Sequence, residues 1–340
     1  MHYSLYPTDE PGVRDAVAEA AATAESPVFT SLHMPESVGL RAFGGYLRDQ
    51  HRERGLSYCA DISPATLGLL DLEPDEVGRL RDWGVTMVRI DYGFTPAEVA
   101  RIARAGGFRI AVNASTVTAD ELAELDGLDV VGWHNYYPRP ETGLSGAFFV
   151  AQNELLSRHG LEIYAFIPGE LSFRAPLGRG LPTLESHRHS NAYLNHARLL
   201  AACPQARVVC AEGTLLDDHV RWIADREATG EITLPMAVLD ASVAFLRDAS
   251  WRLRVEGTDS SHRIDGTRRP RTPARVVNGD RRRAGSLQVD LPGMGRYHGE
   301  LHLMHTDRPL SAHQARVGEI AAPYLGLVDC LRPGHRVRFD

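Results

Sequence analysis

Short apolar runs alternate with segments of helical periodicity through the first two thirds of the chain. The apolar runs predict eight strands, at residues 3–6, 28–33, 56–63, 87–94, 109–115, 128–137, 161–168 and 207–213. Apolar residues three or four positions apart predict eight helices, at 13–25, 37–54, 74–83, 96–105, 119–125, 144–159, 184–202 and 215–228. Eight such repeats predict an α/β protein with a (β/α)₈ TIM barrel, and a doubly wound open sheet is the alternative.

The pattern changes after about residue 234. Helical periodicity fades, and β-like segments follow at 251–256, 287–290, 297–304 and 327–339. The sequence therefore predicts two domains, a TIM barrel over residues 1–232 and a smaller β-rich domain over residues 233–340.

A polar loop at residues 134–145 begins within the sixth predicted strand and leads into the helix predicted at 144–159. Two prolines, Pro138 and Pro140, stiffen it. Its side chains offer the imidazole of His134, the amide of Asn135, the phenol of Tyr137, the guanidinium of Arg139 and the carboxylate of Glu141. So many hydrogen-bonding groups on a rigid loop favour a polar, anionic ligand, although a solvated turn is the simpler alternative.

Three polar side chains fall at corresponding places on consecutive predicted strands. Active sites of TIM barrels lie at the C-terminal ends of the strands, and side chains alternate between the two faces of a strand. This alternation predicts that Asp61, Asp91 and Asn113 point into the barrel near one end. Structural alternatives exist, because Asp61 could cap the next turn and Asp91 could pair with Arg89.

The composition excludes several classes of enzyme. All 37 basic residues are arginine, so Schiff-base aldolases, pyridoxal-phosphate enzymes and P-loop hydrolases, which need a lysine, are excluded. No glycine-rich dinucleotide motif occurs, and we expect no cofactor. His187 and His189 lie in a predicted helix, where such neighbours point apart, so we also expect no metal.

Charge and cysteine usage bear on partners and location. The net charge of −7 argues against a general nucleic-acid partner. Four scattered cysteines fit free thiols in a reducing compartment. No signal-peptide pattern and no membrane-spanning apolar run are evident, so we expect a cytoplasmic protein without a membrane partner.

Motifs in the predicted barrel resemble those of a known family in the same order. They are Thr30-Ser31-Leu32-His33, Asp61-Ile62-Ser63-Pro64, Arg89-Ile90-Asp91-Tyr92-Gly93-Phe94, Asn113-Ala114-Ser115-Thr116, the loop at 134–145, Phe166-Ile167-Pro168-Gly169 and Gly180-Leu181-Pro182-Thr183-Leu184-Glu185. The likeness continues at Arg269-Pro270, at Ala274-Arg275 and at Gly295-Arg296-Tyr297-His298-Gly299-Glu300-Leu301. The chain resembles the 6-phospho-N-acetylmuramidase family.

This resemblance implies a TIM barrel followed by a cyclophilin-like β domain. It also implies a glycosidase of peptidoglycan recycling that cleaves the disaccharide of 6-phospho-N-acetylmuramic acid and N-acetylglucosamine. Two departures put the substrate in question. The eighth strand ends Cys210-Ala211-Glu212-Gly213 where the family has a Gly-Asp pair, and residues 311–318 are diverged.

With this resemblance, we expect Asp61 and Asp91 to act as paired catalytic carboxylates, with Glu141 as the next candidate. A route assisted by the N-acetyl group of the substrate is open as well. The expected substrate-binding residues are His33, Asn113, His134, Asn135, Tyr137, Arg139, Glu185, Arg188, Arg269 and Arg275. Among them, Arg139 and Arg188 are the main candidates for the phosphate or the lactyl carboxylate.

Two alternatives from other classes stay open at this point. One is a phosphosugar or muropeptide-binding protein without catalysis, and the other is a phosphosugar isomerase or epimerase. The expected partner in each case is a small phosphorylated sugar, a phosphorylated amino-sugar disaccharide for the hydrolase. The sequence does not fix the oligomeric state, and a homo-oligomer is compatible with it.

Overall fold

The computed structural model describes residues 1–24, 27–33, 39–271, 273 and 281–340. The chain divides into two compact units, residues 1–216 and 217–340. The predicted domain boundary at residue 232 stays a prediction. Arg275, residue 25 of the first predicted helix and the start of the predicted helix at 37–54 lie outside the described residues.

The first unit is built on eight parallel strands. They are β1 (His2–Tyr3), β2 (Val28–Ser31), β3 (Tyr58–Ile62), β4 (Val85–Ile90), β5 (Arg109–Asn113), β6 (Val130–Trp133), β7 (Ile163–Ile167) and β8 (Ala206–Cys210). Their order is β1-β8-β7-β6-β5-β4-β3-β2. A parallel bridge between Ser4 and Phe29 joins the two ends of this order, and the Leu5 N–H donates to the Phe29 carbonyl at 2.8 Å. The predicted TIM barrel is confirmed, and the open sheet is excluded.

Seven α-helices accompany these strands in the described part of the first unit. They are α1 (Pro11–Ala21), α2 (Leu40–Arg54), α3 (Pro64–Leu70), α4 (Pro96–Gly106), α5 (Ala119–Glu124), α6 (Gly146–Arg158) and α7 (Ala192–Ala202). Local caps fix several starts: the Thr95 side chain accepts the Glu98 N–H before α4, for example. Helix α3 was not predicted, and residues 74–83, predicted as an ordinary helix, form a 3₁₀ helix.

The predicted helix at 184–202 is wrong over residues 184–191. Residues 185–187 form a short 3₁₀ turn, and α7 begins only at Ala192. The cause is Asn191, whose side chain accepts the Leu194 N–H at 2.8 Å and caps a new helix there. The residues before Asn191 are thereby released from α7 and take part in the loop contacts described below.

The barrel interior is filled by large side chains below the strand ends. A buried cluster contains Phe29, Cys59, Met87, Trp133 and Phe166 among others. The ring of Trp133 stacks on that of Tyr164 with centroids 4.1 Å apart. Cys59 and Met87 lie two positions before Asp61 and Arg89 on the same faces of β3 and β4, which confirms the predicted inward direction of those faces.

The second unit is rich in β-structure. After α8 (Asp217–Thr229) come β9 (Ile232–Leu234), β10 (Met236–Leu239), β11 (Trp251–Arg252), β12 (Ser261–Arg263), β13 (Arg281–Arg282), β14 (Ser286–Asp290), β15 (Leu301–Met304), β16 (Arg308–Pro309), β17 (Gln314–Ile320) and β18 (Arg336–Phe339). They form sheets in the orders β10-β17-β14-β15-β12, β11-β18-β9 and β13-β16. The predicted β-rich character is confirmed.

Three predicted strands of this unit are shorter in the structure. The segment at 251–256 forms a strand only at Trp251–Arg252. The segment at 327–339 contains the end of a 3₁₀ helix, Ala322–Cys330, and only its last residues form β18. The segment at 297–304 begins as a strand at Leu301, because Gly299 has a φ of +84° and ends a turn there.

No helix in the described ranges combines the length and the apolarity that crossing a membrane requires.

Candidate active site

Two carboxylates meet at one buried guanidinium at the C-terminal end of the barrel. Asp61 lies on β3, and Asp91 directly follows β4. The Nη1 atom of Arg89 lies 2.8 Å from Oδ1 of Asp61 and 3.3 Å from Oδ1 of Asp91. Since both contacts share one nitrogen, the two oxygens cannot be farther apart than the sum of these distances, about 6 Å. The structure thus brings together the two predicted catalytic residues.

The two carboxylates differ in how deeply they are buried. The side chain of Asp61 is 10% exposed and that of Asp91 is 26% exposed, while Arg89 is only 3% exposed. Burial raises the pKa of Asp61, because together with the charge of Asp91 it outweighs the attraction of Arg89. Burial lowers the pKa of Arg89, but both carboxylates outweigh that effect and its pKa is raised. Burial therefore favours the protonated form of Asp61, beside a permanent cation.

A cavity of about 320 Å³ opens at this group. It is lined by Phe29, Ser31, His33, Asp61, Arg89, Asp91, His134, Asn135, Tyr136, Phe166 and Arg174. Five residues predicted from the sequence are among them: His33, Asp61, Asp91, His134 and Asn135. Sequence reasoning missed Ser31, Tyr136 and Arg174, and treated Arg89 only as a partner of Asp91.

Three of the predicted residues are held in place by neighbouring strands and loops. The Nδ1 atom of His33 lies 2.7 Å from Oγ of Ser63. The amide oxygen of Asn135 accepts a hydrogen bond from Nη2 of Arg89. His134 is buried, which lowers its pKa to about 4, and its Nε2 lies 2.9 Å from Oδ1 of Asn153. His134 is thus neutral at pH 7 and links the end of β6 to α6.

Arg174, in the segment that follows β7, brings a second guanidinium to the cavity. Its Nη1 donates to the Tyr136 hydroxyl at 2.8 Å. The guanidinium carbon lies 4.6 Å from the ring centroid of Tyr6 and 5.0 Å from that of Tyr136. Its backbone N–H donates to Oε2 of Glu212 at 2.6 Å. These contacts hold the side chain between two aromatic rings.

Glu212 is one of the two residues at which the eighth strand departs from the family pattern. It is buried, and burial raises its pKa to about 7. A Cβ atom at Gly169 would lie 1.9 Å from the Glu212 carbonyl oxygen, so the segment after β7 passes close to this position. The Glu212 carboxyl therefore anchors the backbone of Arg174.

Asn113 lies at a neighbouring cavity of about 370 Å³. Asp91, Tyr92 and Asn113 line it together with apolar residues between α4 and α5. The Asn113 side chain accepts the Ser115 N–H at 3.1 Å. Asp91 therefore borders both cavities, whereas Asn113 and Asp61 do not line the same one.

The polar loop at residues 134–145 is tied down by Glu185. The Glu185 carboxylate accepts the N–H groups of Glu141 at 2.9 Å and Gly143 at 2.8 Å. Arg188, whose side chain is fully buried, contacts both carboxylate oxygens at 2.6 Å. This bidentate contact is the main cause that lowers the pKa of Glu185 to about 2. Glu185 and Arg188 thus act as a scaffold for the loop.

Several predicted site residues do not line the cavity at Asp61. Arg139 and Glu141 are exposed in the loop, and Glu141 has a φ of +69°. The Tyr137 N–H donates to the Pro182 carbonyl at 3.0 Å. Glu185 and Arg188 are also outside the lining. Substrate or acid roles for these five residues stay predictions.

Arg269 is exposed in the second unit, and its substrate-binding role also stays a prediction. Among the described residues of this unit, Asp290, Glu300 and His302 bring ligand-type atoms within 4.8 Å of one another. Asp290 and His302 lie on the adjacent strands β14 and β15, so their spacing in the sequence does not reveal this group. An Arg268 guanidinium lies 3.1 Å from Glu300, and this cation disfavours a metal ion there.

A parallel barrel with a cavity at its C-terminal end and two carboxylates on neighbouring strands has the architecture typical of TIM-barrel glycosidases. A family model described as "6-phospho-N-acetylmuramidase, N-terminal" matches residues 3–222. The chain belongs to this family, which confirms the resemblance seen in the motifs.

Two solved structures share the fold over the whole chain. A conserved protein of unknown function from Enterococcus faecalis is 26% identical, with a TM-score of 0.82, and the match covers 100% of this chain and 96% of that one. An uncharacterized B. cereus protein is 20% identical, with a TM-score of 0.80, and the match covers 100% and 98%. A search of curated proteins found no match.

Proposed function

We propose that this protein is a glycoside hydrolase that cleaves the disaccharide of 6-phospho-N-acetylmuramic acid and N-acetylglucosamine during peptidoglycan recycling in the cytoplasm. The convergence of Asp61 and Asp91 on Arg89, inside a barrel of the 6-phospho-N-acetylmuramidase family, carries the proposal. Glycosidic bonds are cleaved by one protonated and one ionised carboxyl group, and this site holds two carboxyls with different environments.

In this mechanism Asp61 is the general acid, since its raised pKa keeps a proton available for the leaving oxygen. Asp91 is the second carboxyl, which acts as the nucleophile or orients the N-acetyl group of the substrate. Inverting enzymes separate their carboxyls by roughly 6.5–9.5 Å to admit a water molecule. The limit of about 6 Å between the two Oδ1 atoms favours one of the two routes that retain the anomeric configuration.

The test is hydrolysis of the phosphorylated disaccharide, followed by mass spectrometry and by the release of reducing ends. We expect turnover by the wild type and losses of several orders of magnitude in Asp61→Asn and Asp91→Asn, with Glu141→Gln as the comparison for the third predicted acid. Binding of the disaccharide without product would instead support a binding protein. Mass-neutral conversion of a sugar phosphate would support an isomerase.

The assignment of the acid has its own test. A substrate with a good leaving group, such as a nitrophenyl glycoside, needs little protonation of the leaving oxygen. We therefore expect Asp61→Asn to keep far more activity on the nitrophenyl glycoside than on the disaccharide. If Asp91→Asn shows this selectivity instead, the two roles are exchanged.

A further inference from the structure

We propose that Arg174 forms the anion-binding subsite of the cavity and takes the negatively charged substituent of the sugar, a phosphate or a carboxylate. This inference rests on the proposed function and specifies how its site selects a substrate. Neither the family motifs nor the polar loop pointed to Arg174.

The first argument is the distribution of cations around the cavity. Among the described residues that line it, the arginines are Arg89 and Arg174. Arg89 contacts Asp61 at 2.8 Å and Asp91 at 3.3 Å, so its positive charge is already engaged by the catalytic pair. Arg139 and Arg188, the candidates from the sequence, do not line the cavity. An anionic group is therefore attracted more strongly at Arg174 than at Arg89.

The second argument is that the guanidinium is positioned before any ligand arrives. Tyr6 and Tyr136 contact it through their rings, and the Tyr136 hydroxyl accepts one of its N–H groups at 2.8 Å. The Tyr6 hydroxyl in turn donates to the Ala211 carbonyl at 2.8 Å, which fixes that ring on the end of β8. The Arg174 guanidinium, held in this way, loses little conformational freedom when it binds a phosphate or a carboxylate.

Nearby carboxyl groups reduce the attraction of Arg174 for an anion only in part, because they are not fully ionised. Among the described residues, Asp9 and Glu212 carry carboxyl groups that interact with the charge of Arg174. Burial raises the pKa of Asp9 to about 6 and that of Glu212 to about 7. Near neutral pH a fraction of their negative charge is absent, and an anion bound at Arg174 would increase that fraction.

A cavity with two carboxylates in one place and a guanidinium in another orients a ligand of matching polarity. An anionic sugar whose charged substituent binds Arg174 directs a different part of the molecule to Asp61 and Asp91. The subsite would therefore both select anionic sugars and place the glycosidic bond at the catalytic pair.

The test compares Arg174→Gln with the wild type on three disaccharides: the 6-phosphorylated one, the same without phosphate, and a phosphorylated one without the lactyl group. Arg104→Gln, an exposed arginine of α4, is the matched control. Loss of one charge-assisted contact predicts a fall of about 10- to 100-fold in kcat/KM for substrates that carry the recognised anion. The fall should be much smaller for the disaccharide that lacks that anion, which identifies it as phosphate or carboxylate.

Equal losses on all three substrates, or no loss on any of them, would overturn the inference. Arg174→Lys keeps the charge and is the second variant in case Arg174→Gln folds poorly, as judged by circular dichroism. We expect it to keep part of the preference for the anionic substrate. A preference lost as completely in Arg174→Lys as in Arg174→Gln would also count against a charge-based subsite.

Direct binding separates this inference from the proposed function. Calorimetric titration with N-acetylmuramic acid 6-phosphate and with N-acetylmuramic acid needs no turnover. If the wild type hydrolyses nothing but binds either sugar with an affinity that falls in Arg174→Gln, the hydrolase proposal fails and the subsite stands. If the wild type hydrolyses the disaccharide with a selectivity that Arg174→Gln does not change, the subsite alone fails.

Discussion

Replacing Arg89 with methionine removes the cation that Asp61 and Asp91 share and leaves an apolar side chain of similar length. The side chain of Arg89 is 3% exposed, and that of Asp61, 2.8 Å away, is 10% exposed. A buried carboxylate that loses its partner costs about 3–5 kcal/mol of folding free energy, a large part of the stability of an ordinary domain. We therefore expect Arg89→Met to destabilise the protein by about that amount at pH 8.

The effect should depend on pH with a defined sign. Without Arg89 the pKa of Asp61 in the folded protein rises further above its unfolded value. The folded state then binds more protons than the unfolded state, so its stability falls as the pH rises. The difference between Arg89→Met and the wild type should accordingly be smaller at pH 5 than at pH 8.

Urea unfolding of the full chain at both pH values measures this difference, and a double-mutant cycle isolates its cause. The double variant Asp61→Asn/Arg89→Met contains no orphaned charge at Asp61. It should be more stable than the two single effects predict, with a coupling energy of about 0.5–3 kcal/mol. Additive effects, or a loss below about 1 kcal/mol at pH 8, would refute this account of the site.

Three further predictions concern the pH response, the loop and the stereochemistry. Burial raises the pKa of Glu212 from 4.5 to about 7, so the folded state binds this proton more tightly than the unfolded state. The free energy of unfolding should therefore fall by about 3 kcal/mol as the pH rises from 4.5 to 7. Glu212→Gln should abolish that fall in urea unfolding, and an unchanged pH slope would contradict it. Glu185→Gln, which weakens the contact with Arg188, should cost about 1–3 kcal/mol and speed amide exchange at Glu141 and Gly143; unchanged exchange would argue against the scaffold role. Proton NMR of the first product should show a retained anomeric configuration, whereas an inverted product would exclude both routes proposed for Asp91.

The parts of the site that follow from local alternation could be predicted from the sequence. The two-residue period of β3 and β4 places Asp61 and Asp91 on the inward face, and the structure confirms that direction. The same period also places Arg89 inward. The period does not show that Nη1 of Arg89 contacts both carboxylates, because the contact with Asp61 depends on how the two strands pair.

The parts that depend on irregular segments could not be predicted. Arg174 follows β7 in a segment with no periodic signal, and only the tertiary contacts with Tyr6 and Tyr136 bring it to the cavity. Glu185 was predicted to bind the substrate because its structural partners are also distant in the sequence. Its partners are backbone N–H groups of a loop more than forty residues earlier in the chain, and no sequence pattern records that approach.

Trp133, stacked on Tyr164 in the barrel interior, gives the protein an internal optical probe. Its ring lies 5.4 Å from Phe29 and 6.2 Å from Phe166, which line the cavity, and its carbonyl accepts the Nε hydrogen of Arg89 at 3.4 Å. Only the side chains that line the cavity separate this ring from a bound ligand, so its fluorescence emission should respond to ligand binding. A form in which the other three tryptophans are replaced would report on ligand entry by fluorescence alone, with no need for a labelled sugar.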